Sequence, residues 1–432
     1  MSAPTPSNHS MRRIVGASFV GTAIEWYDFF LYGTAAALVF NKLFFPSLEP
    51  LAGTMASFAT YAVGFFARPL GGVIFGHYGD RIGRKSMLVT TLMMMGLATF
   101  FIGALPTYET AGIWAPALLV FLRFVQGLGV GGEWAGAVLM VVEHADKDKR
   151  GLYASWVQAG VPVGLLLATG VFTLFNAMLP EADFLAWGWR VPFLLGILLT
   201  GIGYFIRLQI VESPVFEQAK QEKPASKIPV LEVLKTHPRN VLLAMGARLA
   251  ENAFFYIFTI WVLSYVNERL HLPKSVVLNG VLIGSAVQLI TIPWFGAISD
   301  RVGRRPVYLG GAIFLLLMAL PFFWLVDTKN TFLIWTAIVI GMIGHSAMYG
   351  PQAAFFSELF GTRTRYTGAS LGYQLASPFA GGLAPLIATA LLNWADGKPW
   401  PVAVYLVVMA CITIGCVLAA AETNRKSLGE ER

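Results

Sequence analysis

Charge is what this chain has least of: 13% of its 432 residues are Asp, Glu, Lys or Arg, against roughly a quarter in soluble domains. A water-soluble enzyme is excluded on that ground. Cysteine is almost absent, and Cys411 and Cys416, five apart in one apolar run, fall on different helix faces. They predict neither a disulfide nor a metal site. No Walker Gly-Lys-Ser/Thr motif occurs, which argues against an ATP-driven pump, and no nucleophile or cofactor constellation stands out. The expectation is a protein that is not an enzyme and uses no cofactor, no metal and no ATP. Gly127, Gly129 and Gly132 satisfy Gly-x-Gly-x-x-Gly, but no strand or βαβ unit precedes them. The glycines therefore predict close helix contact, not a dinucleotide site.

Apolar residues make up 56% of the chain, with 44 Gly and 23 Pro, and bilayer helices tolerate both of these. One crossing takes about 20 apolar residues. Runs of that length lie near 14–40, 54–75, 86–106, 113–142, 155–178 and 187–207, then near 240–266, 276–298, 307–326, 332–357, 366–393 and 401–421. The predicted class is an all-α polytopic membrane protein with 12 transmembrane helices. Arg12 and Arg13 precede a first run too long for a signal-peptide core, so it should stay as a span.

Twelve spans put both termini on one side of the bilayer, and the basic residues say which. Of 31 Lys and Arg, 22 fall on the terminal side and six on the other: Lys42, Arg190, Arg269, Lys274, Lys329 and Lys398. That bias predicts cytoplasmic termini, residues 1–13 and 422–432. It also accounts for the net charge of +7 without a nucleic-acid partner. The polar stretch 208–239 reads as a cytoplasmic linker between bundles at 14–207 and 240–421.

An internal repeat supports that division. Gly76, Asp80, Arg81, Gly83, Arg84 and Lys85 recur 220 residues later as Gly296, Asp300, Arg301, Gly303, Arg304 and Arg305. Glu143 to Arg150 is matched by Glu358, Arg363 and Arg365. Two copies of six spans make pseudo-symmetric bundles. Asp at a helix boundary can accept from backbone N–H groups or from arginines. Asp80 with Arg84, and Asp300 with Arg304, are therefore expected to join Glu143, Arg150, Glu358 and Arg363 in networks that lock one face. A purely topogenic basic loop is the alternative.

Ionisable residues inside spans cost roughly 2.5 to 3.5 kcal/mol each on insertion scales and are functional candidates by default. They are Glu25 and Asp28 in run 1, Arg123 and Glu133 in run 4, Arg248 and Glu251 in run 7, and His345 in run 10. Glu25, Asp28 and Tyr32 share one helix face, as do Arg123 with Gln126, and Arg248 with Glu251, Asn252 and Tyr256. Two close carboxylates do not both ionise easily, which suits a proton acceptor. The arginines favour an anionic substrate, because a guanidinium holds a carboxylate bidentately. The competing reading makes these internal ion pairs, Arg123 with a run 1 carboxylate and Arg248 with Glu251, and makes His345 a histidine bonded to a backbone carbonyl. Arg68, near the inner end of run 2, is assigned to snorkelling or gating and left outside the binding set.

The repeated Gly-x-x-x-Asp-Arg-x-Gly-Arg-(Lys/Arg) signature resembles the loop motif of the major facilitator superfamily. Stretches such as Glu25-Trp26-Tyr27-Asp28-Phe29, Arg68-Pro69-Leu70-Gly71-Gly72, Arg123-Phe124-Val125-Gln126-Gly127 and Trp187-Gly188-Trp189-Arg190 look like its metabolite:proton symporter family. In the second half Arg248-Leu249-Ala250-Glu251-Asn252, Tyr349 to Gln352 and Gly372-Tyr373-Gln374 are most similar to shikimate-like carriers. The resemblance implies that helices 1, 4, 7 and 10 line a central cavity, and that a small organic anion enters with protons by alternating access.

Substrate contacts are then expected from Arg123, Arg248, Tyr27, Gln126, Asn252, Tyr256, Tyr349, Gln352 and Gln374, and proton exchange from Glu25, Asp28, Glu133, Glu251 and His345. The implied setting is the bacterial inner membrane and a lipid bilayer, with the protein working as a monomer. About eleven residues follow the last run, without the long coiled-coil tail of osmosensing relatives. Proton-driven efflux and symport of a zwitterionic solute are the alternatives.

Overall fold

A computed structural model describes residues 8–82, 84–208, 229–360 and 365–424. Residues 209–228 of the expected linker, Arg363, and the side chains of Asp80 and Arg84 lie outside the described residues. Among the described residues there is no strand, as a bilayer requires of a chain that must satisfy its own backbone polar groups.

Six long helices form the first bundle: α1 (Asn8–Leu38), α2 (Pro50–Ile82), α3 (Arg84–Ala104), α4 (Trp114–His144), α5 (Arg150–Met178) and α6 (Arg190–Leu208). The second holds α7 (Pro238–Tyr256), α8 (Lys274–Val302), α9 (Arg304–Asp327), α10 (Thr331–Glu358), α11 (Arg365–Ala376) and α12 (Trp400–Ala419). Among the described residues eleven spans qualify outright as long and apolar enough to cross a membrane, and a pair bent by 43°, Glu181–Gly188 and Arg190–Ile206, makes a twelfth if counted as one span. Large apolar side chains such as Leu317, Ile290 and Phe205 stay exposed on the flanks, where lipid covers them.

The packing repeats six helices later. In the first bundle α1 lies on α5, α2 on α4, and α3 on α4 and α6; in the second α7 lies on α11, α8 on α10, and α9 on α10 and α12. Between bundles α5 meets α8, and its symmetry mate α11 meets α2.

Glycine makes the tightest contact possible. A methyl group on Gly127 would overlap the carbonyl of Gly64, and one on Gly131 the carbonyl of Arg68. Gly127 and Gly131 of α4 thus form a groove that seats the α2 backbone. Among the described residues three spans depart from regular geometry: α6 is preceded by a wider π turn at Phe184–Gly188, α7 continues through π turns at Ile257–Trp261 and Tyr265–Arg269, and α11 through one at Ser377–Gly382 before resuming at Ala384–Trp394. Such turns gather at functional positions in helices.

Candidate functional site: two polar clusters at the bundle interface

The deep charges collect where the bundles meet. Arg68, Arg123 and Arg248 are all buried, with at most 1% of their surface exposed.

In the first bundle Arg123 lies in an aromatic box, its Cζ 4.0 Å from the ring centre of Phe29, 4.4 Å from Tyr32 and 4.6 Å from Tyr61. Ring faces attract a guanidinium most strongly away from water. Its Nη1 donates to Gln126 Oε1 at 3.0 Å and its Nε to the Tyr61 carbonyl at 3.3 Å. Nη2 has no hydrogen-bond partner, and no carboxylate among the described residues pairs with it. The anticipated ion pair with an α1 carboxylate is therefore absent there: Arg123 is held by rings and amides instead. Gln126 passes the chain on, donating to Thr99 Oγ1 at 2.8 Å.

Beside Thr99 sits Asp28, fully buried. Neither of its oxygens has a donor in bonding geometry, because the Thr99 hydroxyl is committed to the Met95 carbonyl at 3.0 Å. An ionised carboxylate in that place would be an uncompensated buried charge, whereas a protonated one is not. Glu25 and Glu133 are buried as well, at 4% and 2% exposure. Tyr27 turns the other way, donating to the Pro192 carbonyl of α6 at 2.6 Å.

The second bundle carries a closed network. Arg248 Nη1 lies 2.8 Å from Gln352 Oε1 and 3.1 Å from Glu251 Oε2, and its Nη2 donates to Asn252 Oδ1 at 3.2 Å. Gln352 Nε2 reaches Glu251 at 3.3 Å and Tyr308 Oη at 2.8 Å. On the other side Glu251 Oε1 meets His345 Nε2 at 2.9 Å. The Gln288 amide nitrogen donates to the Met342 carbonyl at 3.0 Å and faces His345 Nδ1 at 2.9 Å. Nδ1 is therefore the acceptor, and Nε2 holds the proton aimed at Glu251. His345 is bound by side chains, not by a backbone carbonyl as one reading had it. The internal pair of Arg248 with Glu251 is present.

Between the clusters runs a stack. Tyr373 of α11 has Trp134 of α4 on one face, ring centres 3.7 Å apart at 13°, and Arg248 Cζ 3.1 Å from its centre on the other. Tyr349 Oη lies 3.4 Å from Tyr373 Oη, and Tyr256 packs edge-on against Phe65 at 5.0 Å. Gln374 crosses the interface: it donates to the Gly131 carbonyl at 3.2 Å and accepts from Arg68 Nε at 2.9 Å. Arg68 does not snorkel. It is wholly buried under that bond, so of the two readings given to it snorkelling is corrected and gating stays open.

The face bearing the termini is tied across the bundles. Asp300 of α8 accepts from the backbone N–H groups of Gly151 and Leu152 at the start of α5, both at 2.8 Å, where the helix end favours negative charge. Arg304 holds Asp300 at 2.7 Å and Glu358 with two bonds of 3.2 Å. Arg365 approaches Glu143, at 4.0 Å, and Arg150 lies close to this group. Glu422, which sequence reasoning missed, accepts from the N–H groups of Arg304 and Arg305 at 3.0 Å each. Those donors hold its carboxyl below the usual range even though burial opposes them.

On the opposite face a cavity of about 790 Å³ opens beside Asn41, Thr54, Trp261, Glu268 and Thr389. Glu268 of the second bundle accepts there from Asn41 at 3.2 Å and Thr54 at 3.1 Å of the first. The bundles thus touch at both faces.

Two packed six-helix bundles meeting at a buried polar seam are the architecture of a membrane carrier. The family model of the Major Facilitator Superfamily matches residues 18–385. The shikimate transporter of Escherichia coli (strain K12) is 46% identical over 95% of this chain and 93% of that protein. The proline/betaine transporter of the same strain is 34% identical over 97% of this chain and 85% of the relative. In three dimensions the proton:xylose symporter XylE superposes with a TM-score of 0.75 at 18% identity, covering 98% of each chain. The chain belongs to the Major Facilitator Superfamily and, within it, to the metabolite:proton symporter family. It is a multi-pass membrane transporter, not an enzyme.

Proposed function

We propose that this protein carries a small organic anion, a shikimate-like mono- or dicarboxylic acid, inward together with protons, as a monomer in the bacterial inner membrane with both termini cytoplasmic. The 46% identity to a shikimate transporter supports the substrate class, and the basic residues of the terminal face support the orientation.

The observation that carries the reading is a separation of charge. Among the described residues Arg123 has no acid and Asp28 no base, and Gln126 and Thr99 lie between them. A protonated Asp28 leaves Arg123 free to hold a carboxylate at Nη2. Loss of that proton makes Asp28 a competitor for the same guanidinium, so proton and anion travel together. Glu251 with His345 forms a second exchangeable pair, its charge already matched by Arg248. The Arg248 pair accordingly serves the framework first and the substrate second. Rocking of the bundles about this midplane site, with α5 and α8 parting on one face and Glu268 releasing Asn41 and Thr54 on the other, supplies alternating access.

The test is uptake of labelled shikimate, 2-oxoglutarate, citrate and succinate into proteoliposomes, with and without an inward-acid gradient. Accumulation of one acid only under the gradient supports the proposal, and Asp28→Asn then abolishes accumulation while sparing counterflow. Gradient-independent uptake refutes proton coupling, and absence of uptake for every acid refutes the substrate class.

A further inference from the structure

Beside Arg123 and Arg248, Arg68 is the third buried guanidinium where the two polar clusters meet, and it is the least satisfied of the three. Its Nε is spent on Gln374 Oε1. Both Nη1 and Nη2 are buried without a hydrogen-bond partner, and no carboxylate among the described residues pairs with it. Its surroundings are rings: Cζ lies 5.4 Å from the centre of Trp26, 5.6 Å from Phe29, 5.4 Å from Phe65 and 5.9 Å from Tyr373. Ring faces compensate part of a guanidinium charge, but they accept none of its four Nη hydrogens in a full hydrogen bond.

The positive charge is also local. Arg248 Cζ is 3.1 Å from the Tyr373 ring centre and Arg68 Cζ 5.9 Å from it, so the two carbons lie no farther apart than the sum, about 9 Å. Arg123 and Arg68 share Phe29 in the same way, at 4.0 and 5.6 Å. Glu251 matches Arg248 alone. An interior with two unmatched guanidinium groups is costly unless an anion completes it.

We propose that Arg68 is a direct anchor of the substrate carboxylate: its Nη1/Nη2 edge, framed by Trp26, Phe29, Phe65 and Tyr373, takes the anion bidentately while its Nε keeps hold of Gln374. The inference rests on the organic-anion reading above and adds what that reading lacks. Arg123 offers one free Nη, Arg68 the whole fork. Because Gln374 belongs to α11 and Arg68 to α2, a carboxylate held here lies on the seam between the bundles, and binding favours their contact. Four aromatic rings within 6 Å of the guanidinium suit an acid whose carboxylate is attached to a ring.

The experiment is a binding assay on purified protein, titrating tritiated shikimate and competing with unlabelled shikimate and with its carboxamide, which has the same ring and no charge. Wild type should prefer acid to amide. Arg68→Gln should lose roughly 10- to 100-fold in acid affinity, the worth of a charge-assisted pair, and leave amide affinity within twofold. Arg68→Lys, which keeps the charge without the fork, should fall between and covers the case in which Arg68→Gln fails to fold. A variant with unchanged acid-to-amide preference overturns the role of Arg68 and leaves the anion reading standing. Wild type that binds no acid of the carboxylate panel overturns both.

Discussion

Replacing Asp300 by Asn should loosen the terminal face by about two orders of magnitude. In the native chain one carboxylate receives two backbone N–H groups of α5 at 2.8 Å and the Arg304 guanidinium at 2.7 Å. Asparagine keeps one acceptor oxygen, so one N–H bond to a charged group, about 1.5 to 3 kcal/mol, is lost. The attraction between the carboxylate and the α5 N-terminus, about 0.3 to 1 kcal/mol, goes with it. Arg304 retains Glu358, so its own loss falls mainly inside the second bundle. The remainder, about 3 kcal/mol, multiplies the open population of that face roughly 150-fold. The assay is a spin-label pair at the terminal ends of α5 and α8, read as a distance distribution in nanodiscs, in a background where exposed Cys411 and Cys416 are serine. A long-distance population should appear without substrate. A single closed peak, identical to that of the parent, would refute the cross-bundle lock.

Glu251→Gln should destabilise the protein by about 3 to 5 kcal/mol, because it strips a fully buried Arg248 of its acid. Arg248→Met combined with Glu251→Leu should lose less, and thermal unfolding in detergent ranks the two. Gly127→Ala forces a methyl group onto the Gly64 carbonyl and should cost about 1 to 3 kcal/mol as overpacking, visible as a lower midpoint in fluorescence-detected chromatography. Glu422 has its carboxyl depressed in the folded state, so its contribution is present above the unfolded carboxylate range and disappears as pH falls through the folded value. Glu422→Gln should therefore be less stable than the parent at pH 7, and the two melting temperatures should draw together as pH falls below the ordinary carboxylate range.

The spans were legible as apolar runs of crossing length, and because insertion into lipid penalises buried charge the deep residues of α1, α4, α7 and α10 stood out. Their partners were not. Glu251 and His345 are 94 positions apart, and only helix packing brings them together. Gln288 and Tyr308 complete the same network, yet neutral polar side chains are cheap in an apolar run and gave no signal. Arg68 misled for a different reason: its place along α2 was read as depth, but α2 runs beyond the apolar stretch, Pro50–Ile82, and the α4 glycine groove draws its middle into the interface. Asp300 was recognised through its repeat, with backbone N–H groups and arginines both open as partners, and it takes both. Glu422 had only its closeness to the end of α12 to mark it.

The Trp134, Tyr373 and Arg248 stack has a practical consequence. Its seam separates the bundles, since the indole belongs to α4 and the other two members to α11 and α7. Any cycle that parts the bundles at this level must unstack the indole and change its surroundings, so near-ultraviolet dichroism and emission colour should follow turnover without an attached dye. The difference between the parent and Trp134→Phe isolates that signal from the other eleven tryptophans. The carrier contains its own optical gauge.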